Sequence, residues 1–207
     1  MVKPMEIERR SFEIITEELG GRKIDPENEL VVKRVIHTTA DFDYFDSLAF
    51  SQHAVSKLIA ALKEGCDVVT DTTMAQSGIN KRTLARFGGE ARCFIGDADV
   101  AEEAKARGVT RSLVSMEKAA RLDRPLVFAI GNAPTALFSI CELIRAGKLR
   151  PRMVIGVPVG FVNVVEAKEE LMRTAPDYIV ARGRKGGSNV AAAIVNAALY
   201  QLIQREE

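Results

Sequence analysis

The chain has two histidines, and one of them stands where acid–base chemistry could be done. His37 lies in RVIHTTADFDY (34–44), behind the apolar residues Leu30, Val31, Val32, Val35 and Ile36 and ahead of two threonines and two aspartates. Histidine alone titrates unperturbed near neutral pH, so His37 is a candidate general acid. The competing reading is a structural histidine near a helix C-terminus, where a cation suits the helix dipole. His53, in SLAFSQHAV, follows another helical pattern and reads as structural.

The other chemistry on offer is anion binding. In RGRKGGSNV (182–190), Arg182, Arg184 and Lys185 adjoin Gly186, Gly187 and Ser188, the predicted N-cap of the next helix. This is either a nest for a carboxylate or phosphate or a short turn with solvated charges. In GNAPTAL (131–137), Asn132 or Ala133 would cap a helix with Pro134 in its first turn. In PVGFVN (158–163), Gly160 would let backbone approach a ligand closely, and Phe161 would offer an apolar wall. Arg111 opens a helix after the cap Thr110, a solvated charge unless a ligand carboxylate reaches it. A P-loop is missing, as are G-x-G-x-x-G after the first strand, a nucleophile elbow and a metal-ligand spacing.

These segments need elements to hold them. Five apolar runs read as strands: DVVTDT (67–72), ARCFIG (91–96), LVFAIG (126–131), RMVIGV (152–157) and DYIVARG (177–183). Each is apolar through most of its length, as strands covered on both faces are. Amphipathic stretches lie between them, which implies right-handed crossovers and a parallel sheet. Ligands in such sheets bind beyond the carboxyl ends of the strands, and TDTTMAQSGIN (70–80), GNAPTAL, PVGFVN and RGRKGGSNV all lie there. Two helices precede the sheet. In EIERRSFEIITEEL, Ile7, Ser11, Ile14 and Ile15 share one face, so a serine sits on the side expected to be buried. Gly20-Gly21 ends that helix, and Asp25-Pro26 opens the next, which should run to about Thr38.

The totals fit one domain over residues 1–207. Hydrophobic residues make up 47%, charged residues 28%, and the net charge is +1. No bulk attraction to nucleic acid or an anionic membrane is expected, and the low aromatic share of 6% argues against base-stacking platforms. Cys66, Cys93 and Cys141 are scattered and odd in number, and read as buried small hydrophobes in a reducing compartment. A charged N-terminus and the lack of a spanning apolar run imply a cytoplasmic protein.

Taken in order, ERRSFEII, RVIHTTADFDY, DTTMAQSGI, GNAPTAL, PVGFVNVVEAKE and RGRKGGSNVAAAIVNA resemble the precorrin-8X methylmutase family of cobalamin biosynthesis, from about residue 5 to 200. The resemblance implies a three-layer, flavodoxin-like α/β domain with a parallel five-stranded sheet and an N-terminal helical extension. It also implies a homodimer with the active site near the subunit interface. The activity implied is a cofactor-free isomerase moving a methyl group from C11 to C12 of an anionic tetrapyrrole, with any cobalt carried by the substrate. The family's acid-catalytic histidine matches His37, and its ligand contacts carry over to Ser11 and Arg111. Asn80 falls where that family often has Thr, and Thr38, Thr39 and Asp41 follow the histidine. Met74, Gly78, Asn80, Asn132, Gly160, Phe161, Arg184, Lys185, Gly186, Gly187 and Ser188 complete the candidate substrate contacts. A sigmatropic methyl shift requires a large apolar cleft, anion sites for peripheral carboxylates and one proton donor. A non-catalytic corrinoid carrier is the alternative, and a nucleotide-dependent transferase a third reading.

Overall fold

The five apolar runs form strands because helices cover both of their faces. In the computed structural model, which describes residues 4–204, β2 (Asp67–Thr70), β4 (Leu126–Ile130) and β5 (Met153–Gly156) are buried at every position. With β3 (Ala91–Cys93) and β6 (Tyr178–Ala181) they make the predicted parallel sheet. A sixth strand, β1 (Leu48–Phe50), joins its edge antiparallel to β6, with Leu48 opposite Ala181. Three residues are too few to show alternation, so this strand was hidden in a stretch that reads as helical. The order is β1-β6-β5-β4-β2-β3. Leaving out β1 and counting from β2, this is the flavodoxin-like order 2-1-3-4-5, whose winding reverses between β2 and β4.

Alternate strand residues face two separate cores, which gives the three layers. Val68, Val127, Ala129, Ile155 and Ile179 pack under α2 (Glu29–Thr39), α4 (Ala54–Lys63), α5 (Thr73–Gly78) and α11 (Ser188–Gln204). Val69, Phe128, Ile130, Val154 and Val180 pack under α8 (Arg111–Ala119), α9 (Pro134–Arg145) and α10 (Val164–Thr174). Helix α11 is buried along most of its length, and its run of alanines permits the close approach of α2 and α5. No described helix is long and apolar enough to cross a membrane.

Helix α1 (Pro4–Glu18) lies on α2 as an N-terminal extension. Its expected buried face is only partly buried: Ile15 is in the core, while Ile7 is 58% and Ile14 39% exposed. The helix docks instead through Phe12, Ile15 and Leu19, which leaves Ile7, Ser11 and Ile14 beside a cleft. The second helix begins at Glu29, three residues later than Asp25-Pro26 suggests. The Asp25 carboxylate accepts the Glu27 N–H at 3.0 Å and its carbonyl the Asn28 N–H at 2.8 Å, so Asp-Pro makes a turn before the helix. Cys66 and Cys141 are buried, but Cys93, at the end of edge strand β3, is only half-buried.

Candidate functional site

His37 occupies the last turn of α2, which ends at Ala40 in the left-handed conformation. The ring is exposed. Its Nδ1 lies 2.7 Å from the Ser11 hydroxyl, and the Phe12 ring is tilted 41° to it at 5.6 Å between centroids. Among the described residues no group bonds Nε2. Ser11 and His37 border a cleft of about 650 Å³ with the apolar residues Ile7, Ile14, Ile36 and Phe42 and the charged residues Glu6, Arg10 and Glu18. Arg34, one turn earlier, holds α1 in place: its guanidinium lies between the rings of Phe12 and Tyr200, at 4.9 and 5.0 Å, and pairs with Glu8. Thr38 and Thr39 return their hydroxyls to the carbonyls of Arg34 and Val35, at 2.9 and 2.8 Å. They stabilise the helix end.

The strand-end loops meet at the carboxyl edge of the sheet, where backbone approaches backbone. A Cβ on Gly131 would stand 2.6 Å from the Ser188 Cα, and one on Gly186 would stand 2.1 Å from the Val157 carbonyl oxygen. Those glycines are there to let the loops touch. At the crevice between β2 and β4, where such folds receive ligands, the amides of GNAPTAL are already occupied. The buried carboxylate of Asp71 accepts the N–H groups of Gly131, Asn132 and Ala133 at 2.9, 2.8 and 2.6 Å. It fixes the loop that leads into α9, whose N-cap residue Ala133 has no side-chain acceptor of its own. Burial pushes its pKa up, against the pull of those three N–H groups. The expected anion receptor in this loop is therefore closed by the protein's own charge. Asn132 contributes its backbone, with its side chain exposed.

The 182–188 loop is held from beneath and from one side. Lys168, on α10, is fully buried and donates to the carbonyls of Gly183 and Lys185, both at 2.8 Å. Burial lowers its pKa to about 8. The Gly160 N–H donates to the Arg184 carbonyl at 3.1 Å, and the Gly187 N–H to the Val157 carbonyl at 2.9 Å. Gly160 has φ +149°, a conformation glycine alone adopts easily. Lys185 pairs with Asp41 and Asp43, each at 2.6 Å, which ties the loop to the segment just after His37. The ammonium lowers the Asp41 pKa, and the two carboxylates raise that of Lys185. Arg182 pairs with Glu169. Arg184 is left over the Phe161 ring at 5.4 Å, with no carboxylate partner among the described residues. Phe161 is 81% exposed. Ser188 is the first residue of α11 and its hydroxyl pairs with that of Thr72, at 2.7 Å, so it is not the predicted cap.

Other expected contacts have structural duties. Asn80 caps α6 (Lys81–Arg86), accepting the Thr83 N–H, and its own N–H donates to Asn196. Gly78 leaves room for Ala192 of α11, and its carbonyl accepts from Asn196. Met74 is 70% exposed on α5. Arg111 is exposed at the start of α8, and the hydroxyls of Thr110 and Thr135 join that helix start to α9 at 3.0 Å. Met74, Gly78, Asn80 and Arg111 do not line the His37 cleft, nor do Asn132, Gly160, Phe161 and residues 184–188. His53, read from the sequence as structural, precedes α4 in a left-handed conformation and faces Glu27 at 3.0 Å. Asp71, Lys168 and Arg34 were not singled out from the sequence. Lys168 carried a legible signal: it interrupts the apolar stripe Val164, Ala167, Leu171 of an amphipathic helix.

Comparison with known proteins places these features in one group. The family model described as precorrin-8X methylmutase matches residues 6–201. The cobalt-precorrin-8 methylmutase of Salmonella typhimurium is 49% identical over 97% of this chain and 96% of its own length. The precorrin-8X methylmutase of Pseudomonas aeruginosa is 39% identical over 92% of each. A solved structure, that of precorrin-8X methyl mutase from Thermus thermophilus, superposes with a TM-score of 0.86 at 38% identity, covering 96% of this chain and 98% of that one.

Proposed function

This chain belongs to the precorrin-8X methylmutase family, and we propose that it is an isomerase shifting a methyl group from C11 to C12 of precorrin-8X or cobalt-precorrin-8, with His37 as general acid. The observation that carries the role of His37 is its bond to Ser11, at 2.7 Å, beside a largely apolar cleft. As imidazolium, the ring donates its Nδ1–H to the Ser11 oxygen and keeps its Nε2–H for a ligand. Donated to a ring C nitrogen of the tetrapyrrole, that proton draws density from the conjugated system. The bond from methyl to C11 then breaks as the bond to C12 forms, and the proton returns to His37. The oxidation level of the ring is unchanged, so the reaction calls on no resident cofactor. Cobalt, where present, enters with the substrate.

The remaining groups hold and orient. Arg184 and the exposed amides of its loop receive peripheral carboxylates, and Phe161 offers an apolar face to the macrocycle. Orientation of this kind turns a reactive geometry into the bound one. We infer that the protein acts in the cytoplasm as a homodimer, in which the exposed apolar residues Met74 and Val162 are covered. Light scattering checks that mass. The deciding experiment is His37→Ala incubated with precorrin-8X and, separately, with its cobalt form. Visible absorption follows the change in conjugation. Conversion should fall by about 10²–10⁴-fold while the corrinoid still binds; turnover at the wild-type rate would remove His37 from the mechanism.

A further inference from the structure

Three consecutive carbonyls of the 183–187 loop are bonded within the protein. Those of Gly183 and Lys185 accept from the Lys168 ammonium, and that of Arg184 accepts from the Gly160 N–H. In a trans peptide the C=O and the following N–H point in opposite directions. The carbonyls of Gly183 and Lys185, held on Lys168, therefore turn the N–H groups of Arg184 and Gly186 away from it. Among the described residues those two N–H groups have no acceptor. A lysine in this place is costly, since it is fully buried and no carboxylate among the described residues pairs with it. A packing role would be filled by methionine at lower cost.

We propose that Lys168 is a positioning residue for the substrate. Its ammonium fixes the loop so that the N–H groups of Arg184 and Gly186 face away from it and the Arg184 side chain stands beside Phe161, together receiving one peripheral carboxylate of the tetrapyrrole. The same clamp keeps Lys185 on Asp41 and Asp43, so the anion site and the helix end carrying His37 hold a constant spacing. Lys168 itself touches no ligand. It sits on α10, the helix into which the Phe161 loop leads, so one helix governs both walls of this subsite. The identity of the ligand rests on the methylmutase reading.

The test is an equilibrium titration of the full-length protein with hydrogenobyrinate, followed by visible absorption. Lys168→Met should raise the Kd by about tenfold or more, the size expected on losing hydrogen bonds from a charged donor. Lys168→Arg, which keeps a cation with several donors, should restore the Kd to within about threefold. In an Arg184→Ala background Lys168→Met should add less than about twofold, because the two act as one unit. A Kd unchanged in Lys168→Met, or an effect of equal size with and without Arg184, overturns the proposal. Should the methionine variant fail to fold, the arginine variant decides: near-normal binding supports the proposal and tenfold weaker binding overturns it. Wild type that binds hydrogenobyrinate without converting precorrin-8X would refute the isomerase reading and leave Lys168 to be judged on binding.

Discussion

Asp71→Asn removes one negative charge from the end of β2 while keeping the shape of the side chain. The carboxylate accepts the Gly131 N–H on Oδ1 and those of Asn132 and Ala133 on Oδ2. An amide has a single acceptor oxygen, and its best placement keeps Asn132 and Ala133 and turns its NH2 toward the Gly131 N–H. One buried donor is then orphaned, at about 1–3 kcal/mol, and two charge-assisted bonds become neutral, at about 1 kcal/mol each. Burial outweighs the three N–H groups in setting the Asp71 pKa, so relief of the buried charge offsets the lost charge assistance, and the net expectation is the orphaned donor, a loss of about 1–3 kcal/mol. Urea unfolding at pH 7 should show a lower midpoint with the slope unchanged, and the melting temperature should fall by about 2–12 °C. The pH dependence has a definite sign. Burial raises the Asp71 pKa in the folded state, so over the window between the unfolded and folded values the native state holds the proton more tightly. The stability tied to this group is then full below the unfolded pKa and declines as pH rises through the folded one. The variant lacks this titration, so the gap between wild type and Asp71→Asn should widen as the solution is acidified from neutrality. A loss below about 1 kcal/mol, or a gap that narrows in acid, would refute the reasoning.

Ser11→Ala leaves the His37 Nδ1 without its partner and should lower kcat by about 2–10-fold, the worth of one hydrogen bond, with little effect on corrinoid binding; an unchanged rate would mean that Ser11 does not orient the ring. Gly186→Ala drives a methyl group onto the Val157 carbonyl, at 2.1 Å before relaxation. It should destabilise the fold by about 1–3 kcal/mol and weaken binding of hydrogenobyrinate, as measured by a melt and a titration on the same sample. A folded variant that binds normally would show that the loop can shift without consequence.

Much of the architecture is legible in periodicity. The five parallel strands are short apolar runs between amphipathic segments, and burial on both faces requires that composition. Strand β1 was not legible, because its three residues are held by pairing with β6 rather than by a pattern of their own. The face of α1 was misread for a related reason. Ile7, Ser11 and Ile14 have the spacing of a core stripe, and nothing in that spacing says whether the neighbour is a packed helix or an open cleft. Thr72 and Ser188 are 116 positions apart, and their hydroxyl pair belongs to no local motif.

The sequence by itself determined the fold class and the strand-end loops with their glycines, and offered His37 as a candidate acid, since these depend on residue type and local order. Only the tertiary structure decided how the charges are spent. Asp71 closes the amides of GNAPTAL, Asp41 and Asp43 take Lys185, and Lys168 turns the carbonyls of the glycine loop inward, leaving Arg184 free of a carboxylate among the described residues. The physical reason is distance along the chain. Lys168 lies 17 residues from Lys185, and Lys185 lies 144 from Asp41. Which charges cancel is set by the packing that brings those segments together.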